Sequence, residues 1–183
     1  EAAILALAGP VAGERVQLSN SPWQADAAAL RARFAWRSCR LINDFAAIAL
    51  SLPQLRAEDC AHLGGGSPMA DRPKVVLGPG TGLGVAGLVP AAGGWIAVPG
   101  EGGHASLAPA DDYEAGLLAA LRRRLGHVSY ESVLSGPGLL NLYAAVVETI
   151  GPQAAAWTRQ YPHSPADVGR IAALPGARLG TRL

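Results

Sequence analysis

The chain has 183 residues, of which 50% are hydrophobic and 16% are charged. This composition is typical of a folded protein with an apolar core and excludes a disordered chain. With 15 basic and 14 acidic residues the net charge is +1, and the longest run of like charge is Arg122-Arg123-Arg124. Nucleic acid is therefore not an expected partner.

Membrane and metal partners are not expected either. The apolar stretch over residues 2–8 is too short to cross a bilayer. The two cysteines, Cys39 and Cys60, lie far apart in sequence and have no CxxC spacing. This favours two reduced thiols in a cytoplasmic protein and no metal site.

The pattern of apolar residues and breaks predicts short strands and helices in the first third of the chain. These are strands over 2–8, 14–18 and 39–42, and helices over 21–34 and 45–52. The first strand is predicted to be buried. The first helix is placed by Ser21-Pro22, where serine can cap and proline can take the first helical position.

The rest of the chain predicts three consecutive strands and then helices. These are strands over 74–77, 83–89 and 95–98, and helices over 111–125, over 136–150 and from 164 onward. The helix from Asp111 begins with acids, ends with arginines and is followed by Gly126, as the helix dipole favours. Its predicted buried face is Leu117, Leu118, Leu121 and Leu125.

A glycine-rich loop, Gly78-Pro79-Gly80-Thr81-Gly82-Leu83-Gly84, follows the strand over 74–77. Glycine lets backbone N–H groups converge on phosphate oxygens, and Thr81 adds a hydroxyl donor. The loop lacks the Gly-Lys-Ser/Thr of a Walker A motif, and a strand rather than a dinucleotide-binding helix is predicted after it. A phosphate-binding loop and a tight hairpin turn both remain open.

Five polar side chains occur where a ligand site would need them. Asn43-Asp44 ends a short apolar strand, where Asp44 could accept the proton of an attacking hydroxyl. The alternative is an Asx cap of the next helix, and both interpretations hold if only one side chain caps. Glu101 and His104 lie among three glycines, which indicates either a ligand loop or a surface turn. Glu131 is either a further ligand or a solvated helix residue.

In order and spacing, four segments resemble bacterial glucokinase of the proteobacterial type, in the actin-like ATPase and hexokinase superfamily. They are residues 41–45, 78–84, 99–104 and 133–139, and the resemblance extends from Ala2 to about Leu174. It implies an α/β fold of the actin-like (ribonuclease H-like) two-domain type, incompletely represented. Residues 1–54 would be part of the small domain and residues 55–183 part of the large domain.

The resemblance implies ATP-dependent phosphorylation of D-glucose to glucose 6-phosphate, with ATP and Mg²⁺ as cofactors, in a cytoplasmic homodimer. Asp44 matches the catalytic base, and no side chain is implied as a metal ligand. The residues matched to glucose binding are Asn20, Asn43, Asp44, Glu101, His104 and Glu131. The residues matched to the ATP phosphate loop are Gly80, Thr81 and Gly82.

Two other functions stay open. One is a kinase for another hexose, such as mannose or an N-acetylated amino sugar. The other is a non-catalytic, sugar-binding regulator on the same fold. Asp44 argues against the second, because binding alone needs no base.

The sequence lacks two motifs of the resembled family: the Asp-x-Gly-Gly-Thr of the first phosphate hairpin and the later adenosine-binding Gly-Gly. It is therefore predicted to be an internal portion of a kinase. We expect the chain alone to turn over ATP poorly, because much of the nucleotide cleft would be missing. A coupled assay of glucose-dependent ADP release measures this, and turnover at an ordinary kinase rate of about 1–100 s⁻¹ would contradict it.

Overall fold

The structure is a computed structural model that describes residues 1–19, 21–63, 66–67 and 69–151. Asn20 and the helix predicted from residue 164 lie outside these residues. Two compact units are formed, the first by Glu1–Leu77 with Val85–Gly100, and the second by Gly78–Gly84 with Glu101–Leu183. The assignment of residues 1–54 and 55–183 to a small and a large kinase domain stays a prediction.

Five strands and one helix build the first part of the first unit. They are β1 (Ala2–Leu7), β2 (Val11–Ala12), β3 (Arg15–Gln17), β4 (Gln24–Asp26), α1 (Ala27–Phe34) and β5 (Ser38–Asn43). Strands β2, β3 and β4 form an antiparallel sheet, and β1 pairs with β5 in parallel with Leu7 opposite Asn43. This register brings the end of β1 beside Asn43, where the first candidate site residues begin.

The first predicted helix begins at Ala27 and not at Ser21. Residues 24–26 form a strand against β3 instead. Asp26 then caps the helix, because its carboxylate accepts hydrogen bonds from the N–H groups of Ala28 and Ala29. Pairing with the preceding strand has thus overridden the local signal of Ser21-Pro22.

Strand β1 is buried on one face only, which corrects the prediction of a buried strand. Its residues alternate between exposed and half-buried, and Ile4 is 64% exposed. Leu5 and Leu7 pack on the other face against Val16 and Leu41. In the part of the chain that the structure describes, β1 and β5 form a sheet of two strands only.

A third sheet follows in the chain. After α2 (Asp44–Ser51) and a 3-10 turn (Leu52–Gln54) come β6 (Lys74–Pro79), β7 (Leu83–Ala91) and β8 (Gly94–Gly100), which are neighbours in that order. One face packs around Ala49 of α2 with Ala86 and Leu88. On the other, the outer face, are exposed apolar side chains: Val75 (66%), Leu77 (64%), Ile96 (55%) and Val98 (47%).

Two helices form the core of the second unit. They are α3 (Asp112–Leu125) and α4 (Gly136–Ile150), both close to their predicted bounds. Leu117, Leu118 and Leu121 are buried with Tyr143 and Val146 of α4. The prediction that Leu125 is buried is wrong, because it is 43% exposed at the last position of α3. None of the described helices is long and apolar enough to span a membrane.

The carboxylate of Asp26, at the start of α1, accepts hydrogen bonds from three donors. Oδ1 of Asp26 accepts from the N–H groups of Ala28 at 2.9 Å and Ala29 at 3.0 Å, and Oδ2 accepts from Nε of Arg15 at 2.8 Å. These bonds, the one from Ala29 foremost, hold the pKa of Asp26 below its ordinary value. The ionised carboxylate is therefore the form that the fold prefers.

We expect Asp26 to contribute to the acid sensitivity of the chain. Since its pKa is lower when folded, its stabilisation is complete above the ordinary Asp pKa of about 3.9 and is lost as the pH falls through the lower folded value. Asp26→Asn keeps a capping oxygen but does not titrate. Its urea midpoint should therefore fall less steeply between about pH 5 and pH 2.

Asp71→Asn is the matched control, because the exposed Asp71 bonds to no other described residue. It should follow the curve of the unsubstituted chain. If Asp26→Asn also follows that curve, the cap of α1 is not a source of the acid sensitivity.

Candidate active site

Asn43 and Asp44 divide the two roles that the sequence left open. Oδ1 of Asn43 accepts from the N–H of Ala46 at 3.0 Å, so Asn43 is the cap of α2. Oδ1 of Asp44 accepts from the N–H of Phe45 at 2.9 Å and from Nδ2 of Asn43 at 3.0 Å. Among the described residues Oδ2 of Asp44 has no hydrogen-bond partner. Asp44 thus retains an oxygen that can accept a proton.

The amide of Asn43 is held on its other side by Gly9. Nδ2 donates a second bond to the carbonyl oxygen of Gly9 at 3.3 Å. Gly9 has φ of +145° and lies against the carbonyl oxygen of Gln17, where a side chain would clash. Both N–H groups of Asn43 are therefore occupied, and a hydroxyl could meet this side chain only at Oδ1 or by replacing the long bond to Gly9.

The glycine loop over residues 80–83 has both tied and free donors. The N–H of Gly80 donates to the carbonyl oxygen of Gly82 at 2.7 Å, and the N–H of Leu83 donates to Oε2 of Glu131 at 2.8 Å. Within the described residues, the N–H groups of Thr81 and Gly82 and the hydroxyl of Thr81 make no hydrogen bond. These neighbouring free donors are what a phosphate needs.

The structure brings Glu101, His104 and Glu131 together in the second unit. Nδ1 of His104 lies 3.3 Å from Oε2 of Glu101, and its Nε2 lies 3.7 Å from Oε1 of Glu131. Glu101 and His104 are 74% and 62% exposed, whereas Glu131 is 32% exposed. An imidazole between two accessible carboxylates can donate to and accept from the hydroxyls of a polyol.

Backbone pairing places these three side chains next to one another, although α3 separates them in sequence. The N–H of Glu131 donates to Gly103 at 2.9 Å, and the N–H of Tyr130 donates to Ala105 at 3.1 Å. Gly103 is buried against the carbonyl oxygen of Leu83, and no Cβ would fit there. Glycine at position 103 is thus required by packing.

Asp44 and Asn43 belong to the first unit, and the other described candidates belong to the second. That Asn43 and Asp44 converge with the candidates of the second unit around one sugar stays a prediction. Among the described residues no group of three or more His, Cys, Asp or Glu side chains is placed to hold a metal ion. In the second unit, Glu131 contacts both the glycine loop, through the N–H of Leu83, and His104.

A cavity of about 590 Å³ also lies in the second unit, between α3 and α4. Its walls are mainly apolar and aromatic, with Leu117, Tyr130 and Leu142 among them, and none of the candidate residues contributes. Its lining also includes the carboxylates of Asp111 and Glu114.

The family model for glucokinase matches residues 1–179. The chain belongs to the glucokinase family. It is 48% identical over 149 residues to the glucokinase of Marinobacter nauticus, matching 81% of this chain and 46% of that protein. It is 47% identical over 164 residues to the glucokinase of Nitrobacter hamburgensis, matching 90% of this chain and 49% of that protein. The chain thus spans about half the length of these curated relatives.

Solved glucokinases share the fold. A crystal structure of glucokinase from an Antarctic psychrotroph aligns with a TM-score of 0.74 at 32% identity, covering 92% of this chain and 56% of that chain. Glucokinase from Balamuthia mandrillaris, solved in complex with glucose, aligns at 0.68 and 24% identity, covering 92% and 51%. The prediction of an incomplete α/β sugar-kinase fold is confirmed.

Three groups that shape the candidate site were not predicted from the sequence. They are the carbonyl oxygen of Gly9, the N–H of Leu83 and the packing position of Gly103. Gly9 and Gly103 are visible in the sequence as breaks, but nothing in the sequence says which atoms they approach. The N–H of Leu83 has no sequence signal, because every residue except proline carries one.

We expect Asn43→Ala to lower the free energy of unfolding by about 1 kcal/mol, because the cap of α2 is lost. Asn43→Ser keeps a capping oxygen and should recover most of that loss, although it removes the bonds from Nδ2. Urea denaturation of both variants measures the difference. Equal losses in the two variants would show that the bonds to Gly9 and Asp44, and not the cap, stabilise this corner.

Proposed function

We propose that the chain carries the sugar-binding groups, the base and one phosphate loop of an ATP-dependent glucose kinase. The reaction would transfer the γ-phosphoryl group of ATP to the 6-hydroxyl of D-glucose, giving glucose 6-phosphate and ADP. The observation that carries the proposal is the bond between Glu131 and Leu83, because it joins the carboxylate–imidazole cluster to a loop with free phosphate donors.

The cluster would bind the sugar through its hydroxyls. Glu101 and Glu131 accept hydrogen bonds, and His104 between them can accept or donate. A hydrogen bond to a charged group contributes roughly 1.5–3 kcal/mol, and a hydroxyl left without a partner is costly. Several such bonds would distinguish glucose from a sugar with one hydroxyl inverted. Asn43 would contribute through Oδ1, and Asn20 remains a further candidate ligand.

Asp44 would act as the general base. Its Oδ1 is fixed by Phe45 and Asn43, which aims the remaining oxygen. Oδ2 would accept the proton of the 6-hydroxyl as the hydroxyl oxygen bonds to the γ-phosphorus and the bond to ADP breaks. In phosphoryl transfer such a base mainly orients the nucleophile, and positioning and electrostatics supply most of the rate.

The loop residues Gly80, Thr81 and Gly82 would receive the phosphates of ATP through the free N–H groups of Thr81 and Gly82 and the Thr81 hydroxyl. Mg²⁺ would be held by the phosphates and water, since this ion needs few protein ligands. This mode of binding agrees with the nearby carboxylates of Glu101 and Glu131, which face His104 and would not be needed as ligands of the ion. The ion neutralises phosphate charge when bound.

The proposal extends to the hexose that is phosphorylated, the oligomeric state and the cellular compartment. We propose D-glucose rather than mannose or an N-acetylated amino sugar, on the strength of the family, and product analysis with a panel of these sugars tests it. A cytoplasmic homodimer follows from the same resemblance. Sedimentation equilibrium of the purified protein would measure the oligomer.

We expect Asp44→Asn to lower turnover by about 100-fold or more, while glucose still binds, because the amide oxygen accepts a hydrogen bond but does not take a proton. The test uses a chimera in which this chain replaces the matching segment of the Marinobacter nauticus glucokinase. Turnover is measured by glucose-dependent ADP release, and glucose binding by calorimetry.

Asp112→Asn is the control, because Asp112 is the first residue of α3 as Asp44 is of α2. The Asp112→Asn substitution should change neither turnover nor glucose binding. Full turnover in Asp44→Asn would mean that another group is the base. Loss of glucose binding together with turnover would make Asp44 a ligand rather than a base.

A further inference from the structure

Glu131 contacts two functional elements at once. Oε2 accepts the hydrogen bond from the N–H of Leu83 at 2.8 Å, and Oε1 faces Nε2 of His104 at 3.7 Å. The first contact is with the phosphate loop and the second is with the sugar-binding cluster. The two oxygens of one carboxylate are therefore divided between the two elements.

The backbone of Glu131 is fixed by the start of α4. Oγ of Ser135, which is 5% exposed, donates to the carbonyl oxygen of Glu131 at 2.9 Å and accepts from the N–H of Gly138 at 3.0 Å. The N–H of Gly136 donates to the carbonyl oxygen of Gly80 at 2.8 Å. Residues 131–136 thus anchor the glycine loop at both ends, through Gly80 and through Leu83.

The glycine between these anchors leaves room for the carboxylate. A Cβ atom at Gly82 would lie 2.5 Å from Oε2 of Glu131, whereas a Cβ atom at Gly80 would have nothing within 4 Å. Neither glycine has a positive φ. Alanine at Gly82 would therefore displace the flexible end of Glu131 without straining the backbone, and alanine at Gly80 would disturb neither.

We propose that Glu131 is a positioning residue for the phosphate loop as well as a sugar ligand, and that Gly82 is glycine to admit its carboxylate. This inference rests on the proposed function of the site. When Oε2 holds Leu83, the N–H groups of Thr81 and Gly82 keep the orientation in which they are free. When that bond is absent, the loop retains only its anchor at Gly80 and can turn these donors away from a phosphate.

Hydrogen exchange of the Leu83 amide, followed by NMR on the 183-residue chain, tests the bond without any ligand. We expect exchange to be about tenfold faster or more in Glu131→Ala and in Gly82→Ala, because a charge-assisted bond is lost. Glu131→Gln should restore slow exchange, since its amide oxygen can accept from Leu83. Gly80→Ala, the matched control for the added methyl group, should exchange like the unsubstituted chain.

Binding of a non-hydrolysable ATP analogue, measured by calorimetry, tests the consequence. Its dissociation constant should rise in Glu131→Ala and Gly82→Ala and recover in Glu131→Gln, although glutamine also removes a sugar-binding charge. If Glu131 acted only on the sugar, its substitution would raise the dissociation constant for glucose and leave that for the analogue unchanged.

Unchanged Leu83 exchange in Glu131→Ala would overturn the positioning role, as would unchanged analogue binding by a chain that does bind the analogue. If the unsubstituted chain binds neither glucose nor the analogue, the proposed function fails in this chain. The exchange of Leu83 would then still decide whether Glu131 holds the loop.

Discussion

Gly103 lies so close to the carbonyl oxygen of Leu83 that no side chain fits between them. This close approach lets the backbone after Glu101 lie beside the backbone before Glu131, where two N–H groups fix the register. His104 then falls between the two carboxylates. The candidate sugar cluster is thus a consequence of backbone packing, and its chemistry depends on a residue that has no side chain.

A similar arrangement holds Asp44 in the first unit. Parallel pairing of β1 with β5 sets Asn43 opposite Leu7, and Gly9 follows closely enough to bond the Asn43 amide. Asn43 then serves the helix with its oxygen and the neighbouring carboxylate with its nitrogen. The Asn43 amide therefore caps the helix and leaves the Asp44 carboxylate available for chemistry. This is the case, foreseen from the sequence, in which only one of the two side chains caps.

The parts of the fold predicted well are those in which local signals agree. Helix α3 has a cap at Asp111, acids at its start and a glycine stop at Gly126, and it forms where predicted. Helix α1 was misplaced because residues 24–26 pair antiparallel with the preceding strand β3, and this pairing outweighed the signal of Ser21-Pro22. The grouping of Glu101, His104 and Glu131 was available only through family resemblance, since no spacing rule joins residues on either side of a helix.

The outer face of the β6–β8 sheet, with Val75, Leu77, Ile96 and Val98, also has a consequence for work on the purified chain. Apolar patches of this kind are rare on monomeric proteins and favour self-association. At the millimolar concentrations of NMR, molecules would meet through these faces and give broad lines. Dilute samples, or a lysine in place of Val75, would keep the chain dispersed without touching any group of the candidate site.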